Sequence, residues 1–254
     1  GALVTLARLA SEGQVGHERS VLAQAAGAAA SPQLRNRATL GGNLVQRPRC
    51  WYFRDPLVHC WLKGGERCLA ADGHTERHAL ASTGPCHIVH PSDPAHALVA
   101  LDASVVVAGP RGQRTIPMAD FLHMPRQEAW SETALALDEL IVDVAIPPPA
   151  SSARGAYVKA AERAVWDFAL VSAAAQVAFQ GPVVAAARLV LGGVAPVPWR
   201  ASDAEEALVG RSLDDAAIAR AAGAATVGLH PLSRNAYKLD LVRGVVAEAL
   251  RRLR

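Results

Sequence analysis

Four cysteines, Cys50, Cys60, Cys68 and Cys86, are the whole thiol content of the 254-residue chain, and all lie in one stretch. Their spacings are C-x9-C, C-x7-C and C-x17-C. No CxxC pair occurs, so the usual zinc-ribbon pattern is not matched. Residues 50–90 carry four glycines and five histidines and hold no period of 2 or 3.6. That is the composition of a loop organised by something other than a hydrophobic core. Two disulfides or four separate buried thiols are the plainer readings, yet a chain of this length does not need covalent staples. A four-thiolate metal centre fits better. Gly64-Gly65 and Gly73 supply turning freedom, and Arg47, Arg49, Arg54, Lys63 and Arg67 can offset thiolate charge. Four thiolates suit either zinc or an iron–sulfur cluster, and spacing alone leaves both open.

Three further motifs have weaker chemistry. Thr39-Leu40-Gly41-Gly42-Asn43 pairs glycines, which let backbone N–H groups approach a ligand, with flanking polar side chains; an ordinary tight turn explains it as well. His90-Pro91-Ser92-Asp93-Pro94 reads as a helix start with Ser92 as N-cap, and Asp93 as a first-turn carboxylate favoured by the helix dipole. Tyr157-Val158-Lys159, followed by Arg163, Trp166 and Phe168, reads as a strand with a snorkelling lysine and core aromatics. Only Lys63, Lys159 and Lys238 are lysines among 26 Lys+Arg, and a retained lysine suggests a need for a compact ammonium.

The elements that must position these residues follow from pattern. Helices are expected over Thr5–Glu12 and about Glu18–Ala30, then a loop from Ser31 to Arg49. Beyond Pro91 come a helix from Ser92-Asp93 to Leu101, a hairpin of Ser104–Ala108 and Gln113–Pro117, a short helix at Met118–His123 and a strand at Glu139–Ile146. The run Pro147–Ser152 marks a boundary between residues 1–149 and 150–254. Strands at Gly155–Ala161, Ala169–Phe179 and Ala185–Gly192 precede helices near Ala201–Val209, Leu213–Val227 and Asn235–Leu253. Strands first and helices after indicate an α+β class with segregated layers.

Composition narrows the function. A net charge of +3 argues against a dedicated nucleic-acid binder, and 51% hydrophobic residues exclude bulk disorder. No apolar run reaches the ~18–20 residues of a membrane span. No GxGxxG follows a strand, which counts against a nicotinamide-dependent dehydrogenase. Gly1 opens in what reads as mid-fold, with no signal-peptide pattern.

The ordered set LRNRATLGGNL, HPSDPAHALVALDA, ELIVDVAIPPP, YVKAAERAVWDFALVSAAA and LGGVAPVPWRA resembles the FAD-binding subunit of the molybdenum hydroxylases, the xanthine dehydrogenase and carbon monoxide dehydrogenase superfamily. The likeness covers essentially the whole chain. The segment QRPRCWYFRDP is similar to the flavin subunit of bacterial aldehyde oxidoreductases, which carries an extra [4Fe–4S] cluster in an inserted loop.

This resemblance implies an α+β chain: the C-terminal part of a PCMH-type FAD-binding domain over 1–149, with an iron–sulfur loop at about 47–90. A carbon monoxide dehydrogenase flavoprotein-like domain of three strands plus helices would follow over 150–254. It implies that Thr39, Gly41, Gly42 and Asn43 hold the FAD phosphates and ribityl chain, that Asp93 bonds the ribityl region, and that Ile141 adds apolar contact. Lys159 would sit at the polar edge of the isoalloxazine, where a cation favours the anionic reduced ring. Phe168, with Trp166 the second choice, would shield one ring face. Cys50, Cys60, Cys68 and Cys86 would ligate the cluster. A glycine-rich pyrophosphate clamp, within roughly the first 70–80 residues of a typical member, is expected ahead of Gly1.

The implied role is electron transfer. Substrate would be oxidised at a molybdenum cofactor in a large subunit, and electrons would pass through [2Fe–2S] clusters of a small subunit to FAD and an external acceptor. The assembly would be a heterotrimer or a dimer of heterotrimers, with no nucleic acid and no membrane span. It would be cytoplasmic, or periplasmic if exported with a partner bearing a twin-arginine signal. The competing reading is a zinc-stabilised, non-enzymatic interaction module.

Overall fold

The computed structural model describes residues 1–11, 19–81, 84–125, 131–148, 150 and 152–254. Glu12, Glu18, Pro149 and Ser151 therefore lie outside the described residues. Helix α1, Leu6–Ala10, is capped by the Thr5 hydroxyl, which accepts from Arg8 N; α2, Ser20–Ala28, buries Val21, Leu22, Ala25 and Ala26.

The stretch expected to be a loop contains two short helices, α3 (Pro32–Arg35) and α4 (Leu40–Leu44). Four or five residues are too few for a 3.6-residue period to show in sequence. Their caps were nonetheless written there: Ser31 accepts from Leu34 N, and Thr39 from Gly42 N. The cysteine segment adds α5 (Trp51–Arg54) and a 3-10 turn at Trp61–Lys63. Helix α6, Asp93–Ala100, opens on Ser92 as expected, with Ala95 N donating to the Ser92 hydroxyl at 3.2 Å.

One antiparallel sheet has the order β2-β1-β3, from β1 (Ser104–Gly109), β2 (Gly112–Pro117) and β3 (Leu140–Ala145). Gly112, at φ +101°, makes the tight β1–β2 turn in a conformation that favours glycine. Helix α7, Met118–Phe121, follows β2.

The second antiparallel sheet runs β4 (Ala153–Ala160), β5 (Val171–Gln180), β6 (Val183–Gly192) and β7 (Trp199–Arg200), so a two-residue edge strand joins the three expected. Both faces are covered. Ala173, Ala175 and Val177 pack into one core with α8 (Ser202–Leu208), α9 (Asp215–Ala224) and α10 (Lys238–Arg251), whereas Ala174 packs into another with α2 and α6. Tyr157 and Val190 join Ala174, and Ala156, Leu189 and Leu191 face the other way. Period-2 alternation thus serves two cores at once, which explains small, apolar residues throughout β5. Among the described residues no helix is long and apolar enough to cross a membrane.

Candidate functional site

A cavity of about 550 Å³ lies between α3–α4, the Pro91–Asp93 turn and the 166–168 segment. Thr39, Gly42, Asn43, Asp93 and Phe168, all expected site residues, line it together with Gln46, Arg37, Arg49, Trp166 and Asp167. The walls are chemically divided. Arg37 and Arg49 give a cationic rim, Thr39 and Asn43 a hydrogen-bonding floor, and Trp166 and Phe168 two exposed aromatic side chains, 64% and 40% accessible. Arg49 stacks its guanidinium 5.0 Å from the Phe168 ring centroid. This is a site for a ligand that is anionic in one part and planar in another.

The glycine pair behaves differently from the expectation. Leu40 N donates to Val4 O, Gly41 N to Ala2 O, Gly42 N to the Thr39 hydroxyl and Asn43 N to Thr39 O. The first-turn N–H groups are therefore spent inside the protein and do not form an anion cradle. Gly41 is buried against the first residues of the chain, where a Cβ would come within 3.0 Å of Ala2 Cβ. Gly42 is exposed and keeps the cavity floor open. What remains for a ligand is side chain: the Thr39 O–H, and the Asn43 amide N–H2, since Asn43 Oδ1 accepts from the Ser92 hydroxyl at 2.6 Å.

Asp93, on the cavity, and Lys159, behind it, form a buried pair. The Asp93 carboxylate accepts from the Tyr157 hydroxyl at 2.6 Å and from Lys159 Nζ at 2.8 Å. Lys159 Nζ donates as well to Ala28 O at 3.1 Å and Asp167 O at 2.7 Å, so its three protons are used. Burial pushes the Asp93 carboxyl upward, opposed by Lys159 and by the Tyr157 hydrogen bond. Lys159 lines a neighbouring cavity instead of this one. Its place is behind the wall, where it ties β4 to α2, α6 and the 166–168 segment. Ile141 lies on β3, paired with Val107 and packed in the core rather than on the cavity.

Trp166 and Asp167 are the residues that sequence reasoning underweighted. Asp167 accepts from Phe168 N and Arg163 N and so fixes the turn that presents both aromatics. An aspartate bonding nearby backbone N–H groups is a sequence-visible turn signal.

The four cysteines converge. Cys50, Cys60, Cys68 and Cys86 line a single pocket of about 10 Å³ within an apolar shell that includes Phe53, Trp61, Leu62 and Ile88. None is in a disulfide. Turns place them: Arg54 N donates to Cys50 O, Lys63 N and Gly65 N to Cys60 O, and Ala71 N to Cys68 O. At Gly65 any Cβ would stand 2.3 Å from His59 O, so that turn requires glycine. Cys86 hydrogen-bonds Cys68, which lowers the Cys68 thiol to about 5 and pushes Cys86 up; burial pushes Cys50 up. Among the described residues, no three Cys, His, Asp or Glu groups are arranged to hold a metal ion.

His78 was not singled out by sequence. Its Nε2 lies 3.2 Å from Cys50 Sγ, and burial holds its pKa down to about 4, leaving the ring neutral near pH 7.

Comparison with known proteins follows from this geometry. The family described as FAD binding domain in molybdopterin dehydrogenase matches residues 1–149, and that described as CO dehydrogenase flavoprotein C-terminal domain matches residues 156–253. The chain is 40% identical to the aldehyde oxidoreductase FAD-binding subunit PaoB of Escherichia coli (strain K12), over 98% of this chain and 76% of that one. It is 28% identical to the nicotine 6-hydroxylase medium subunit of Paenarthrobacter nicotinovorans, over 99% and 72%. It superposes on a carbon monoxide dehydrogenase chain from Hydrogenophaga pseudoflava with a TM-score of 0.73 at 27% identity, covering 99% of this chain and 72% of that one.

Proposed function

Because the chain belongs to the FAD-binding subunits of the molybdenum hydroxylase family, we propose that its 550 Å³ cavity takes the flavin end of FAD. The protein is an oxidoreductase subunit. We read it as the electron-transferring flavin subunit of an aldehyde oxidoreductase-type complex, with residues 1–149 and 150–254 as its two domains. The observation that carries this reading is the division of one cavity into a cationic rim, a polar floor and an aromatic wall.

Bound FAD supplies chemistry that accepts electrons singly and releases them in pairs. The residues of this chain do the rest. The Thr39 hydroxyl and the Asn43 amide bond polar groups of the ligand, Arg37 and Arg49 neutralise its charge, and Phe168 and Trp166 cover ring surface. Gly41, Lys159 and Ile141 act from behind the wall, and Asp93, which lines the cavity, is held in place by its ion pair with Lys159 and bonds the ribityl region. A large molybdenum subunit and a small [2Fe–2S] subunit are the proposed partners, upstream in the electron route.

The four thiols fit a [4Fe–4S] cluster in number, type and convergence, with Arg47, Arg49 and Arg54 nearby in sequence to offset its charge. Cys50, Cys60, Cys68 and Cys86 would be its ligands.

The test is the full-length protein purified with its partner subunits. One FAD per chain is expected, with acid-labile sulfide and iron equal to four per chain above the partner's clusters. Thr39→Ala with Asn43→Ala should lower flavin occupancy at unchanged iron, and Cys68→Ser should lower iron at unchanged flavin. Flavin-free wild-type protein overturns the first reading; wild-type protein with no extra iron overturns the second.

A further inference from the structure

His78 is the one imidazole among the side chains lining the four-cysteine pocket. Its ring is 3% exposed, with Nε2 3.2 Å from Cys50 Sγ. The other ring nitrogen, Nδ1, is buried without a partner among the described residues. An orphaned N–H is rarer and costlier than an orphaned acceptor, which favours the tautomer with the proton on Nε2, pointing at sulfur.

The ring is held there by several independent contacts. His78 O accepts from Lys238 Nζ at 2.9 Å and from Asn235 Nδ2 at 3.2 Å, and His78 N donates to Thr75 O at 3.0 Å. Trp51 meets the ring edge-on at 5.9 Å, and Tyr52 is tilted against it at 6.2 Å. Both Asn235 and Lys238 are fully buried, so the backbone that carries the ring is fixed from the C-terminal region.

We infer that His78 is a positioning residue for the Cys50 sulfur, giving an N–H···S hydrogen bond that favours the reduced state of the cluster this sulfur would ligate. The inference rests on the [4Fe–4S] reading above. A donor to a ligating sulfur stabilises the added negative charge and raises the reduction potential. His78→Gln keeps an amide N–H at the position of Nε2; His78→Leu keeps bulk and removes the donor.

The experiment is a redox titration of the whole complex, followed by the EPR signal of the reduced cluster, with iron and sulfide measured alongside. His78→Leu is expected to lower the midpoint potential by about 59 mV, a tenfold weaker hold on one electron, while His78→Gln stays near wild type. In wild-type protein labelled with 15N-histidine, pulsed EPR should detect one weak nitrogen coupling that is lost in both variants. Equal potentials in all three proteins, equal shifts in both variants, loss of the cluster in both, or no nitrogen coupling in the wild type would each overturn the role. Loss of iron from His78→Leu alone, with His78→Gln at the wild-type potential, supports it. Wild-type protein lacking the extra iron and sulfide instead removes the cluster reading, and this inference with it.

Discussion

Trp166 donates its backbone N–H to the carbonyl of Ala30 at 3.3 Å, and both residues hold left-handed backbone, φ +54° and +51°. Among the described residues only Asp102 joins them as a non-glycine at positive φ. The two line the same cavity. Non-glycine residues in this region cost of order 1–3 kcal/mol and persist where surroundings over-determine them. Backbone conformation at these two residues thus joins the Asp167 carboxylate in setting the wall that presents the exposed indole.

Ala30→Gly relieves the steric conflict at φ +51° but adds chain entropy in the unfolded state, so the two effects nearly cancel, within about 1 kcal/mol. Ala30→Val brings a β-branched side chain into the left-handed region and should cost about 1–3 kcal/mol. Urea unfolding of both variants measures the difference; a Val variant as stable as the Gly one would refute the argument.

The Asp93–Lys159 pair is nearly sealed from water, at 6% and 9% side-chain exposure. Lys159→Met strands a buried carboxylate and should destabilise by about 3–5 kcal/mol. Asp93→Asn combined with Lys159→Met should recover much of that loss, because no unpaired charge stays inside. The double-mutant cycle, read by denaturant midpoints, reports the coupling.

Lys238 is fully buried on two carbonyls, His78 O and Gly193 O, and burial lowers its pKa to about 7. An unfolded lysine titrates near 10.4. Between these values the unfolded chain binds more protons than the folded one, so this residue makes stability rise with pH from about 7 to about 10, by at most about 1.4 kcal/mol per unit. Below pH 7 the cost of the buried charge is fully present. Lys238→Met should flatten the pH dependence in that window, whatever its effect on absolute stability.

At Gly155, where α2 packs on β4, a Cβ would stand 3.0 Å from Val21 Cβ and 3.2 Å from Val21 N. Gly155→Ala should cost about 1–3 kcal/mol by overpacking and lower the thermal midpoint accordingly. Gly223→Ala, on α9 with open space around the position, should be neutral or stabilising.

Much of the frame was legible before any coordinates. The strand Gly155–Ala161 sits at 153–160, the helix from Asn235 runs over 238–251, and Ser92 caps α6, because alternation, amphipathic period and capping are local signals. Helices α3 and α4 were not legible, being shorter than the pattern that identifies helices. The scarcity of lysine marked two positions whose contacts it could not foretell: Lys159 and Lys238 each gather converging acceptors around one ammonium, a job for which a planar guanidinium is unsuited. Their partners are far away in sequence, at Ala28, Asp93, His78 and Gly193, and spacing along a chain carries no record of such encounters. The grouping of the cysteines was visible; the imidazole that touches one of them was not, since His78 is one of several histidines in the stretch.

The cysteine loop is stitched to the far end of the chain. Leu80 N and Ala81 N donate to Val194 O, His230 N donates to Leu80 O, and Asn235 and Lys238 hold His78. Chains are synthesised from the N-terminus and fold as segments emerge. All four thiols therefore leave the ribosome long before the residues that fix their geometry. The native geometry of this loop therefore depends on residues that emerge well after it. Proteolysis before Asn235 would remove the contacts that hold His78 and leave the four cysteines in an unbraced loop, so the integrity of this site depends on residues distant from it in sequence.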